Sequence, residues 1–163
     1  MKILATTRTS GKKKIGIDFH GVINTDPVFF QKLAQELLRR HIEVHIISGG
    51  PEDYIKNYLQ DNGILYSQIW CIYSYYENKG QITIYEDGSF YMDDEIWNKA
   101  KADYCRRHKI GLHIDDSLIY GKYFTTPYCL YNGNTKTGQI LDCQIAFSES
   151  AELCADQLMS VLK

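Results

Sequence analysis

Three short apolar runs each end in residues that can do chemistry. "KIGIDFHG" ends in Asp18, His20 and Gly21, "VHIISGG" in Ser48, Gly49 and Gly50, and "IGLHIDDS" in Asp115, Asp116 and Ser117. A carboxylate can attack an electrophile or hold a cation, and a hydroxyl can donate to an anion. An imidazole exchanges protons near neutral pH. Glycines leading into a helix start let backbone N–H groups approach an anion closely. A lone aspartate at a strand end is ordinarily a turn or cap residue. Three such sets in one chain, one of them a paired Asp-Asp, point beyond that reading. Gathered carboxylates repel one another unless a cation sits between them. Oxygen donors without thiolates favour Mg²⁺ over zinc, and Mg²⁺ commonly shares its shell with a phosphate. Phosphate chemistry is the inference.

That inference requires the three runs to be parallel strands, because ligands of open α/β sheets bind outside the carboxyl ends of the strands. The patterning supplies such an architecture. "KIGIDF" reads as a strand buried on both faces, and "DPVFFQKLAQELLRRH" as a helix capped by Asp26 with Pro27 at its first position. "VHIISGG" is a second strand, and "GPEDYIKNYLQDNG" a helix with Pro51 at its start and Gly63 past its end. "SQIWCIYSYY" reads as a third strand. Two β-rich runs flanking Asp87-Gly88 predict a hairpin within about 79–93. A helix over "DDEIWNKAKADYCRRH", a fourth strand at "IGLHIDDS" and a fifth at "TTPYCLYN" follow. "QILDCQIAF" is one more short strand, and "SESAELCADQLMSVLK" a closing helix with Ser148 as cap. Strands alternating with helices predict one α/β domain over 1–163, a doubly wound, mostly parallel sheet of about five strands. The hairpin is too small for a second domain, and the short link from Asp18 to Pro27 leaves no room for a large cap there.

Composition excludes several classes of function. The chain has 163 residues, 44% hydrophobic and 23% charged, which suits a globular domain with a full core. Its net charge of −2 gives no sign of a nucleic-acid partner, and "GKKK" is its only local basic run. No apolar window nears the ~20 residues that span a bilayer, and the apolar core of "MKILATTRTSGKKK" is too short for a secretory signal. The five cysteines (Cys71, Cys105, Cys129, Cys143 and Cys154) are odd in number and form no C-x-x-C, which suggests buried free thiols and a cytoplasmic protein.

With these residues in view, the chain resembles the haloacid dehalogenase superfamily of hydrolases. "IDFHGVINT" is similar to its first motif, "HIISG" to the second and "LHIDDS" to the fourth. "NKAKADYC" offers candidates for the lysine of the third. The resemblance implies a Mg²⁺-dependent phosphatase that hydrolyses phosphate monoesters through an aspartyl-phosphate. Asp18 would be the nucleophile. Asp18, Asp115 and the backbone carbonyl of His20 would bind Mg²⁺, and Asp116 would support that shell. Ser48 would hold a phosphoryl oxygen, with Gly21 and Gly49 beside it. Lys101, or else Lys99, would balance the charge of nucleophile and phosphate. The open site would accept a phosphorylated small molecule or a phosphate on a larger one, unless homo-oligomerisation closes it.

His20 departs from that pattern, since the phosphatase branch normally has a second aspartate there. It stands as an acid/base, a substrate contact or the mark of a weakened enzyme. In the last case the chain would be a module that binds Mg²⁺ and a phosphorylated ligand. Response-regulator receivers also carry acids, a hydroxyl and a lysine at strand ends, but their acidic pair follows the first strand, the reverse of the order here. His45 and His113 read as core residues, and His41 and His108 as helix-end residues suited to the dipole. Tyr73, Tyr75, Tyr76, Phe90 and Tyr91 could line a substrate mouth, although covering the sheet together with the hairpin is the preferred reading.

Overall fold

The structure, a computed structural model, describes residues 11–162. The reading of the N-terminal stretch against a secretory signal therefore falls mostly on residues 1–10, outside the described residues. The strands are β1 (Lys14–Ile17), β2 (Glu43–Ser48), β3 (Gln68–Cys71), β4 (Thr83–Ile84), β5 (Phe90–Tyr91), β6 (Leu112–Asp115), β7 (Tyr128–Asn132), β8 (Thr137–Ile140) and β9 (Cys143–Ala146). The helices are α1 (Pro27–Arg39), α2 (Glu52–Asp61), α3 (Ile72–Asn78), α4 (Asp94–Arg107) and α5 (Ala151–Val161). Seven strands form one sheet in the order β3-β2-β1-β6-β7-β8-β9, parallel from β3 to β7 and antiparallel from there to β9. The chain is thus α/β with a mostly parallel sheet. Among the described residues no helix is long and apolar enough to cross a membrane.

Side chains alternate between the faces of a strand, and this period of two sorts the core. Ile15, Ile17, Val44, Ile46, Leu112 and Ile114 point to the face covered by α1, α2 and α5, where Leu33, Leu37, Ile55, Leu59 and Leu158 complete the main cluster. Gly16, His45, Ile47, His113 and Asp115 take the other face, against α4. There Ile47 packs with Tyr104, Cys105 and Ile110, while Ile72 of α3 packs with Met92 and Ala100.

Local signals account for most element boundaries. The Asp26 carboxylate accepts the Phe29 N–H and Asp93 that of Ile96, so α1 and α4 begin on capped turns. Several expectations are corrected. The third apolar run is a strand only as far as Cys71 and then turns helical. Ile72 and Tyr76 lie one turn apart facing α4, a helical spacing hidden within a β-rich composition. Pro51 does stand at the start of α2, as its cap residue. "QILDCQIAF" holds a tight hairpin, β8 turning at Leu141 into β9, so the sheet has seven strands and not about five. Leu141 adopts φ 52° with no Asn-Gly or Asp-Gly there to signal the turn. Ser150, not Ser148, caps α5, its hydroxyl accepting the Leu153 N–H. Cys143 is exposed, whereas the other four cysteines are buried, and all five are free. The hairpin near Asp87-Gly88 forms as β4 and β5, only two residues each.

Candidate active site

The strand order reverses between β1 and β6. From β1 the chain runs outward to β2 and β3, then returns to β6 on the opposite side. The crevice beyond the carboxyl ends of β1 and β6 is therefore the topological switch point, where α/β sheets bind ligands. In register, Gly16 pairs with His113 and Ile17 with Ile114, which sets Asp18 beside Asp115. The Asp18 N–H donates to the Ile114 carbonyl at 2.9 Å and holds this step of the ladder. By the alternation of side chains, Asp18 and Asp115 both face α4.

Lys101 of α4 meets them there. Its ammonium lies 3.0 Å from Asp18 Oδ1 and 2.8 Å from Asp115 Oδ2, and all three groups are buried. Lys99, the other lysine considered, points away to an exposed pair with Glu95. Asp115 is held from two further sides, since His113 Nε2 donates to Oδ2 at 3.0 Å and the Ser117 N–H to Oδ1 at 3.0 Å. His113 fits because residue 16 is glycine: a Cβ there would come within 2.6 Å of His113 Nδ1. The imidazole lies parallel to the Phe124 ring at 5.1 Å.

The electrostatics separate the two carboxylates. Burial pushes the Asp18 carboxyl above its usual range, opposed by Lys101 and reinforced by Asp115. Burial acts in the same direction on Asp115, but His113 and Lys101 outweigh it and hold this carboxyl well below the ordinary range. Lys101 is buried too, yet the two carboxylates keep its ammonium firmly protonated. Asp116 is raised by partial burial and by its neighbour Asp115. Its carboxylate packs directly over Gly21, which sits at φ 78°; a side chain at residue 21 would be strained and would strike Asp116.

Asp18, Asp115 and Asp116 can each bring an oxygen within 4.8 Å of the others. Three carboxylates face one ammonium, so a negative excess remains when all are ionised. The donors are all oxygen, and the group fits a hard divalent cation. The His20 imidazole stands outside this trio. It lies at the mouth of the site, donating from Nε2 to the Gly50 carbonyl at 3.2 Å, edge-on to Phe19 and parallel to Tyr54.

A cavity of about 800 Å³ opens over these residues, its lining including buried Asp18, Ser48 and Lys101, with Gly49, Asp116, His20 and Gly21 beside them. Ser48 Oγ is fully buried and without a partner, one of two such side-chain atoms among the described residues. A buried hydroxyl left unpaired at the foot of a cavity is a donor awaiting an acceptor.

The sequence-predicted residues are thus brought together, His20 at the rim. Half of the cavity's aromatic wall was weighed from sequence: Tyr73 and Phe90 line the cavity, against the preferred covering role, while Trp97 and Tyr120 were not singled out. Tyr75 does cover, packing on Trp70. A signal for Trp97 existed, because it precedes Lys101 by four residues and so shares its helical face. His113 was read only as core, and it is core, but its ring also holds Asp115. No family model matches this chain, and no curated protein does.

Proposed function

We propose that this chain is a Mg²⁺-dependent phosphohydrolase of the haloacid dehalogenase type, cleaving phosphate monoesters through an aspartyl-phosphate on Asp18. The observation that carries the reading is Lys101 bridging Asp18 and Asp115 beneath a cavity that also holds the unpartnered Ser48 hydroxyl. Both donors to Asp18, the Phe19 N–H and Lys101, fall on Oδ1, so Oδ2 is the oxygen available for attack. A bond forms from Oδ2 to phosphorus as the ester P–O bond breaks, and the leaving oxygen takes a proton from a protonated His20 or from water in the open cavity. Water then cleaves the acyl phosphate, releasing inorganic phosphate and regenerating Asp18. Ser48 donates to a phosphoryl oxygen, and Lys101 offsets charge on the nucleophile and the transferring group. Gly49 and Gly21 leave backbone groups close to the anion. Asp18, Asp115 and Asp116, with the His20 carbonyl, would hold Mg²⁺, which when bound neutralises phosphate charge. The compartment that suits five free thiols is a reducing cytoplasm.

One observation favours the alternative of a catalytically weakened module that binds Mg²⁺ and a phosphorylated ligand. The Nε2 proton of His20 is engaged by the Gly50 carbonyl, so a neutral imidazole has no other proton to give. The discriminating experiment is turnover of an aryl phosphate with Mg²⁺ by wild type and by Asp18→Asn. Hydrolysis by the wild type that falls to background in the variant supports the enzyme. Equal rates in both, or no turnover by either, contradict it.

A further inference from the structure

Above the phosphate end, the cavity wall is aromatic and nearly uncharged. Tyr120, Trp97, Phe90 and Tyr73 line it, drawn respectively from the 3₁₀ turn Tyr120–Tyr123, from α4, from β5 and from α3. The rings form a continuous run. The Trp97 indole N–H donates to the Tyr120 hydroxyl at 3.1 Å, Trp97 and Phe90 have centroids 5.6 Å apart, and Phe90 and Tyr73 are 5.0 Å apart. The run begins beside the site of chemistry: the Lys101 ammonium lies 5.0 Å from the Tyr120 ring, and the Trp97 ring sits 3.1 Å from where a Cβ on Gly49 would stand. Phe90 remains 42% exposed, an apolar ring turned to solvent at the lip of a cavity.

A sugar or polyol phosphate has no π-face to stack on these rings. Among the described residues lining the cavity, Lys101 is the only lysine or arginine, and Asp18 and Asp115 already engage it. A ligand with a second phosphate would find no further cation on this wall. The run starts at Tyr120 beside Lys101 and continues through Trp97 and Phe90 to Tyr73, so it offers ring surface beyond the part that adjoins the phosphate end. A flat ring carried one sugar unit away from the phosphate is a ligand shape that can use both ends of such a site.

We propose that the substrate is a nucleoside monophosphate, its phosphate at Ser48 and Lys101 and its base against Trp97 and Phe90. The inference rests on the phosphohydrolase reading for its chemistry, but its recognition element can be tested without turnover. Stacking of a base on an aromatic side chain contributes about 5- to 150-fold in binding.

Binding is measured on the Asp18→Asn protein with Mg²⁺ by tryptophan fluorescence, with uridine 5′-monophosphate and ribose 5-phosphate as ligands. The chain has two tryptophans, and Trp97→Phe identifies the signal of Trp97 while keeping a ring at that position. The nucleotide should change Trp97 emission and bind about 5- to 150-fold more tightly than ribose 5-phosphate. Phe90→Ala, at a position 42% exposed, should erase most of that difference by weakening the nucleotide alone, with unchanged ribose 5-phosphate binding showing that the fold of the site is kept. Equal affinity for the two ligands, or equal loss on both in Phe90→Ala, would overturn the assignment. Failure of the phosphohydrolase reading looks different: base-dependent binding would persist while the wild type turned over neither compound. Turnover of both at equal efficiency would retain the hydrolase and remove the base site.

Discussion

Replacing Lys101 with methionine keeps the aliphatic stem in its packed position and removes only the charge. Two carboxylates would then face each other at the end of β1 and β6 with no ammonium between them. Removing one partner of a buried ion pair costs about 3–5 kcal/mol. The lower end applies here for two reasons. Asp115 keeps its bonds from His113 and the Ser117 N–H, and Asp18 lines an open cavity that water can enter. A loss of about 3 kcal/mol lowers the melting temperature of a chain this size by about 6–12 °C. Differential scanning calorimetry in a metal-free buffer near neutral pH reads it directly. In an Asp18→Asn background the same substitution should cost clearly less, because one of the two stranded charges is already gone. A Lys101→Met protein that melts within a degree or two of wild type, or equal costs in both backgrounds, would refute the bridging role of the lysine.

The remaining predictions concern other parts of the molecule. Glu36 is held to about 2 by Arg39 and Arg40. Its folded pKa lies below its unfolded value, so its contribution is full above about pH 4.3 and fades as pH falls toward 2; Glu36→Gln should flatten that part of the acid unfolding curve, and an unchanged acid limb would contradict it. Thiol titration should count one reactive cysteine in the native protein, Cys143, and five in denaturant without reductant; fewer than five would reveal disulfides. If His20 protonates the leaving oxygen, His20→Ala should lose about 10²- to 10⁴-fold on an alkyl phosphate and much less on an activated aryl phosphate. Equal losses on both substrates would assign His20 another task.

How far the sequence carried differs from element to element. The parallel core was legible because β1, β2, β6 and β7 are short apolar runs that end at a polar residue, and because Asp26 with Pro27 marks a helix start. The β8–β9 hairpin was not, since its turn places Leu141 at positive φ and lacks the usual glycine. The end of the third strand was masked by composition: isoleucine, tyrosine and tryptophan favour strands, yet Ile72 and Tyr76 are used at helical spacing against α4. In the site, the strand-end acids could be placed because topology alone brings them to one rim. Choosing Lys101 over Lys99 needed the rotation of α4, which two residues' difference in sequence does not decide on its own. The aromatic wall needed tertiary structure most of all, because its four rings come from four separate elements: Tyr73 and Phe90 could be weighed only as one option, Trp97 carried a clue in its spacing from Lys101, and Tyr120 carried none.

The central claim is that Asp18 carries the phosphoryl group, and rapid acid quench of the wild type during turnover of an aryl phosphate with Mg²⁺ tests it most directly. Peptide mass analysis should then find a phosphoryl adduct on Asp18 that hydroxylamine removes, as it does acyl phosphates, and none in Asp18→Asn. Steady turnover with no adduct on Asp18, or with an adduct on another residue, would contradict the account.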